Sequence, residues 1–279
     1  MKEEQEVLEP ELSHLQFIEE DNEEGRIEID NQTHRSICRK GCDRPTNTCL
    51  CPHLPQQPIP TSTHLLILQH PHERRHKLST APILTKCLSN AQIVLGRRLT
   101  LGSSPLLDAL HAQSTQQTLK TPKTLENPRA LILFPDAESV KLTKWASTNR
   151  GELEKGGLVL IVFDGTWNHA REMARASEGF LRGFATRVCL DFDVGVDGGS
   201  VFDSELVLRK EPFGGCVSTV EAVARALRVL EVCGGGEIEE RMVGVLRAMV
   251  GFQAGYLKEK DVRARTKMGK KNGKEKRGI

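Results

Sequence analysis

No stretch of this 279-residue chain is apolar for long enough to cross a bilayer. The first residues are acidic and no apolar core follows them, so a secretory leader is not expected. An Arg-rich, acid-poor transit sequence is missing too. Net charge is small, +2 at neutral pH, so the chain as a whole carries no strong field of one sign. Together these absences lead to the expectation of a protein with no membrane segment, cytoplasmic and/or nuclear.

The charges that are present are unevenly placed. Acids crowd residues 2–30 and bases crowd 263–277, and neither end has a repeating apolar face. Both ends are expected to be disordered, an acidic segment at 1–35 and a basic tail at 259–279. The tail suits salt-sensitive RNA binding, nuclear import or plain solvation. The eight cysteines are uneven as well. Cys87, Cys189, Cys216 and Cys233 are scattered in apolar surroundings and read as buried thiols, whereas Cys38, Cys42, Cys49 and Cys51 cluster among the turn formers Gly41, Pro45 and Asn47. Four soft donors in a short wrapped segment suit tetrahedral zinc, with a disulfide pair as the oxidising-compartment alternative and His53 as a possible fourth ligand. Residues 36–58 are therefore read as a zinc knuckle of structural type.

From 59 to 258 the pattern alternates strand and helix. Residues 56–63 read as a linker, and 64–69 and 91–99 as strands with a helix between them at 79–88. A short helix is expected at 104–111, a polar loop at 113–127 and a strand at 129–134. Residues 140–148 look helical and 158–163 are a strand apolar throughout, hence buried on both faces of a parallel sheet. A helix then starts at Asn168. Residues 187–191 and 204–210 complete the strands, and amphipathic helices follow at 218–230 and 237–256. The sum is an α/β domain. Asp164, Gly165, Thr166 and Trp167 sit at the carboxyl end of the central strand, where open α/β sheets place ligands. Plain turn chemistry, a Thr166 helix cap and a core indole explain the same residues without function. Ser218 and Glu221 have capping-box spacing, and such a helix start also suits a polar ligand group. His72-Glu73-x-x-His76 has the zincin pattern, but Pro71 and the preceding strand put it in a loop or first turn rather than on one helix face.

Several stretches together resemble the DTW-domain family. They are the cysteine knuckle with Arg44-Pro45, the run from Leu68 to Arg75 followed by Ser79-Thr80-Ala81, and Leu133-Phe134-Pro135. Asp164-Gly165-Thr166-Trp167, the run from Leu208 to Pro212, and the run from Ser218 to Ala222 complete the set. The resemblance implies a SPOUT-like fold: a mostly parallel sheet with helices on both faces and a trefoil knot. It implies a tRNA-uridine aminocarboxypropyltransferase that uses S-adenosylmethionine, makes 3-(3-amino-3-carboxypropyl)uridine (acp3U) and releases methylthioadenosine. It also implies tRNA as partner and leaves a homodimer open.

On that footing Asp164 is the candidate general base and Trp167 a cover for the sulfonium or a stacking surface for the base. Phe134, Pro135, Gly165, Thr166, Ser218, Thr219 and Glu221 are the candidate donor pocket. Arg74, Arg75, Arg209 and Lys210 are candidates for the donor carboxylate or tRNA phosphates. The competing readings are an RNA methyltransferase using the same donor, a zinc-ribbon RNA-binding module and a metallopeptidase at His72, Glu73 and His76.

Overall fold

The computed structural model describes residues 36–39, 41–76, 79–120, 130–191 and 217–254, with the backbone alone at Arg75 and 117–120. Its strands are β1 (His64–Gln69), β2 (Ala91–Leu95), β3 (Ala130–Leu133), β4 (Val140–Lys141), β5 (Val159–Asp164) and β6 (Ala185–Cys189). They form one sheet in the order β2-β1-β5-β3-β6-β4, and every pairing is parallel. Parallel strands need a covering layer on each face, and alternation along the strands supplies the apolar surface for both. Leu65, Ile67, Leu160 and Val162 point into one core, and Leu66, Leu68, Val159, Ile161 and Phe163 into the other.

The first core is covered by α1 (Ala81–Cys87), α3 (Leu142–Thr148), α4 (Arg150–Lys155), α6 (Thr219–Leu230) and α7 (Gly235–Ala254). The second is covered by α2 (Pro105–Lys120) and α5 (Trp167–Leu181). Helices thus lie on both faces, as expected. Trp145, not Trp167, is the core indole: it is buried on α3 beside Leu142 and Ala146. The cysteine knuckle joins the first core, since Cys42 and Leu50 are buried in the same cluster as α1, α6 and α7. Lys86 on α1 fastens it, its Nζ donating to the Gly41 carbonyl at 2.6 Å and pairing with Asp43 at 3.0 Å.

Several segments differ from expectation. β2 ends at Leu95 rather than at 99, β6 spans Ala185–Cys189 rather than 187–191, and α4 has no counterpart among the expected elements. Residues 113–120 are not loop: α2 continues to Lys120, because glutamine and leucine sustain a helix and no glycine or proline intervenes before Pro122. Residues 56–63 are not a free linker. The Ile59 N–H donates to the Cys87 carbonyl at 2.7 Å, and Glu231, at the end of α6, accepts from Ser62 N, Ser62 Oγ and Thr63 N at 2.9 Å each. Val140 and Lys141, expected to open a helix, pair instead with Val188 and Cys189 as a short edge strand. The expected strand at 204–210 lies outside the described residues.

Candidate active site

Topology makes a crevice beside β5. The chain runs from β1 to β2 on one flank and to β3 on the other, and β5 fills the place between β1 and β3. The loops after β1, β3 and β5 therefore open at one sheet edge, the usual ligand position in such sheets. Register puts Gln69 opposite Asp164, the last residues of β1 and β5.

That pairing builds a clamp around one carboxylate. Asp164 is only 5% exposed. Its Oδ2 accepts from Gln69 Nε2 at 3.0 Å and its Oδ1 from Thr219 Oγ1 at 2.8 Å. Gln69 Nε2 also donates to Ser79 Oγ at 3.1 Å, so the loop after β1 is tied to the same centre. Hydrogen bonds to a charged acceptor contribute about 1.5–3 kcal/mol each. The clamp fixes the carboxylate between the ends of β1 and β5 and the start of α6. Gln69 lies in the run from Leu68 to Arg75 that carries the family resemblance, but its role at Asp164 is revealed only by the parallel register.

Around this centre the expected pocket residues divide. Thr166 caps α5, its Oγ1 accepting from His169 N at 3.3 Å. Ser218 caps α6 by accepting from Glu221 N at 3.3 Å. Thr219, beside it, reaches Asp164. Glu221 is 1% exposed and its carboxylate is paired with Arg225 at 2.8 Å, one turn along α6. That partner explains the burial of the charge. Phe134 and Trp167 are both half-buried, with ring centroids 6.2 Å apart and a 47° tilt, while Pro135 is exposed. The loop after β3 and the start of α5 thus present an aromatic pair at the same sheet edge as Asp164. Gly165 admits the close packing there, since a Cβ would lie 3.0 Å from the His169 Cβ.

Of the candidate cations, Arg74 is exposed in the 3-10 turn Glu73–Arg75 that follows β1, and Arg75 belongs to the same turn. Arg209 and Lys210 lie outside the described residues. Exposed Arg97 and Arg98, just after β2, add positive charge at the carboxyl end of the neighbouring strand. The zincin pattern does not form its helix face: the turn is a single 3-10 turn, and His76 follows it in extended conformation. His72 instead meets His70 and His169, neither of which the pattern includes.

The cysteine site is built as a cage. The Sγ atoms of Cys38, Cys42, Cys49 and Cys51 all lie within 4.8 Å of one another. Cys38 and Cys51 are 3.5 Å apart, and Cys42 and Cys49 are 3.6 Å apart. Four thiolates about 2.3 Å from one zinc ion would stand about 3.8 Å from each other, so the set fits a metal ion with little movement. Cys38 belongs to it despite its three-residue gap to Cys42. The alternative ligand, His53, packs against Phe252 of α7 with centroids 5.9 Å apart. Burial pushes the Cys42 thiol up, but the N–H groups of Leu50 and Arg44 and the neighbouring thiols outweigh it and bring it down to about 7. Hydrogen bonding to Cys38, then Cys49, pushes Cys51 up to about 12. Gly41 lines the cage so closely that a Cβ would lie 2.2 Å from the Cys51 sulfur.

A family model of the DTW domain matches residues 35–254. The chain belongs to the DTW domain family. Among its DTW relatives, tRNA-uridine aminocarboxypropyltransferase A of Arabidopsis thaliana is 47% identical over 241 residues, covering 83% of this chain and 86% of the relative. tRNA-uridine aminocarboxypropyltransferase 2 of Macaca fascicularis is 30% identical over 229 residues, 81% of this chain and 66% of the relative. The Drosophila melanogaster protein of the same name is also 30% identical over 229 residues, with 81% and 78% covered. No solved structure matches the chain. Among the described residues no helix is long and apolar enough to cross a membrane.

Proposed function

We propose that the protein transfers the 3-amino-3-carboxypropyl group of S-adenosylmethionine to N3 of a uridine in tRNA, giving acp3U and methylthioadenosine. The names of the DTW relatives support aminocarboxypropyl transfer to tRNA uridine, above all the plant protein at 47% identity over most of both chains. One observation carries the chemistry: a carboxylate clamped at the end of the central strand, where the loops of β1, β3 and β5 meet the start of α6.

S-adenosylmethionine supplies an electrophilic methylene carbon next to its sulfonium and a neutral thioether as leaving group. Uridine N3 carries a proton and attacks only once that proton is lost. Asp164 takes it as general base, the new N–C bond forms, and the C–S bond breaks with its electron pair going to sulfur. Gln69 and Thr219 hold the carboxylate while this happens. Phe134 and Trp167 offer aromatic faces to the sulfonium or the base, and the hydroxyls of Ser218 and Thr219 with Gly165 and Thr166 line the donor side. Arg74, Arg75, Arg209 and Lys210 are the candidate cations for the donor carboxylate or tRNA phosphates. The cysteine cage holds zinc and stiffens the knuckle on the first core. A trefoil knot, a homodimer, and residence in the cytoplasm and/or nucleus belong to the same reading.

The deep burial of Asp164, with both oxygens bonded, favours a second role: tying the start of α6 to β5 and so shaping the donor pocket. Asp164→Asn separates the two. Nucleoside mass spectrometry of tRNA incubated with protein and donor should show the aminocarboxypropyl mass increment, and Asp164→Asn should abolish it. Donor affinity kept in the variant marks a base; donor affinity lost with activity marks a positioning residue. A methyl increment on tRNA would replace this reading with a methyltransferase.

A further inference from the structure

Three imidazoles that no part of the proposed transfer uses meet at the same sheet edge. His70 and His72 follow β1, and His169 lies in the first turn of α5, ninety-nine positions away from His70 in sequence. The carboxyl ends of β1 and β5 are neighbours, so the three side chains come together with donor nitrogens all within 4.8 Å. His70 is 2% exposed and its ring stacks on His169 at 3.8 Å with 11° between planes. His72 meets both edge-on, at 4.8 and 5.5 Å. Two further observations point to a ligand. The Nδ1 of His169 is buried and has no hydrogen-bond partner, an arrangement that costs about 1–3 kcal/mol unless something satisfies it. And Gly165 is the residue that lets the rings meet, because a Cβ there would press within 3.0 Å of the His169 Cβ and 3.4 Å of the His70 Cβ.

We propose that His70, His72 and His169 form a second metal site, separate from the cysteine cage, for a divalent late transition ion such as zinc. Imidazole nitrogen is a preferred donor for such ions, and three protein ligands leave a coordination position open to water or a small anion. The exposed side of His72 is where that position faces solvent. Two stacked rings cannot both aim in-plane lone pairs at one ion, so binding turns the His169 ring about Cβ–Cγ, a broad torsion with little cost. That turn gives the orphaned nitrogen its partner.

The test is metal content of the full chain after equilibration with zinc and removal of loosely held ion. Wild type should retain one more equivalent than His169→Ala, and than His72→Ala, which alters an exposed residue, whatever the cysteine cage holds. Nitrogen–proton spectra of the imidazoles should show zinc shifting His70, His72 and His169 but not His53 or His64. Equal zinc in wild type and both variants, or imidazole shifts that spare these three, overturns the site. Neither readout depends on tRNA or on transfer, so the proposal fails or stands apart from the enzymatic one.

Discussion

Replacing Gly41 by alanine adds one methyl group at the worst place in the knuckle. The backbone tolerates it, since Gly41 is not held at positive φ, so the effect is purely steric. The new Cβ would stand 2.2 Å from the Cys51 sulfur and 3.2 Å from the Cys38 sulfur. Non-bonded heavy atoms rest about 3.5–4.0 Å apart, so Cys51 must retreat by roughly 1.3 Å or more. Metal–ligand distances tolerate only about ±0.2 Å, so the retreating thiolate stops being a ligand. Structural zinc binds with an apparent ~12 kcal/mol shared by four ligands, and losing one removes about 3 kcal/mol, a hundredfold or more in affinity. Overpacking against the first core adds about 1–3 kcal/mol, roughly 2–12 °C in melting temperature for a domain of this size. Competition with a chromophoric chelator reads the affinity, and thermal melts read the stability. Gly151→Ala, on α4 with no atom within 4 Å of its Cβ, is the matched control and should melt no lower than wild type. A Gly41→Ala protein that holds zinc as tightly as wild type would refute the four-thiolate cage.

Other changes probe the centre and its supports. Thr219→Val keeps the shape of the side chain but deletes the donor to Asp164 Oδ1; transfer should fall about tenfold or more, read as kcat/KM, and an unchanged rate would remove Thr219 from the clamp. Glu221→Ala strips Arg225 of a buried counter-charge and should cost about 3 kcal/mol, a drop of roughly 6–12 °C in melting temperature. If melting is unchanged and donor affinity falls instead, Glu221 is a ligand-binding group rather than half of a structural pair. Glu178 is held below the usual carboxylate range by its hydrogen bond from Arg182 and then by the charge of Arg187. Its contribution is present above the ordinary carboxylate pKa and lost as pH falls through the lower folded value. Glu178→Gln should therefore melt below wild type at neutral pH, and the gap should close in acid; a gap that persists at low pH contradicts the ion-pair cause.

What was legible in the sequence, and what was not, follows from the range of the forces involved. β1 is readable to the residue, and β5 to within one, because continuous apolar runs bounded by turn residues have few alternatives in a two-faced parallel sheet. The caps at Thr166 and Ser218 are local hydrogen bonds between near neighbours, and the sequence marks both. α2 beyond His111 is hidden because its outer turns are polar and carry little apolar period, so propensity alone sustains them. α4 is hidden for another reason: Asn149 ends α3 and starts α4, which looks like a single loop on paper.

The centre itself is legible only in halves. Asp164 and its turn announce themselves locally, but the groups that hold the carboxylate come from Gln69, 95 positions earlier, and Thr219, 55 positions later. Both fall in stretches that carry the family resemblance, Leu68 to Arg75 and Ser218 to Ala222, but neither stretch says that its residue meets Asp164. Sheet order makes them partners, by seating β5 between β1 and β3 and bringing the start of α6 to the same edge. The same order brings His70 against His169. A motif search therefore finds the acid, the turn and the stretches around them, while their meeting at one carboxylate follows from sheet order and the placement of α6. The register also says where variation is costly. Any change that slips β1 against β5 by one residue would turn Gln69 to the opposite face of the sheet and dissolve the clamp, with Asp164 itself untouched.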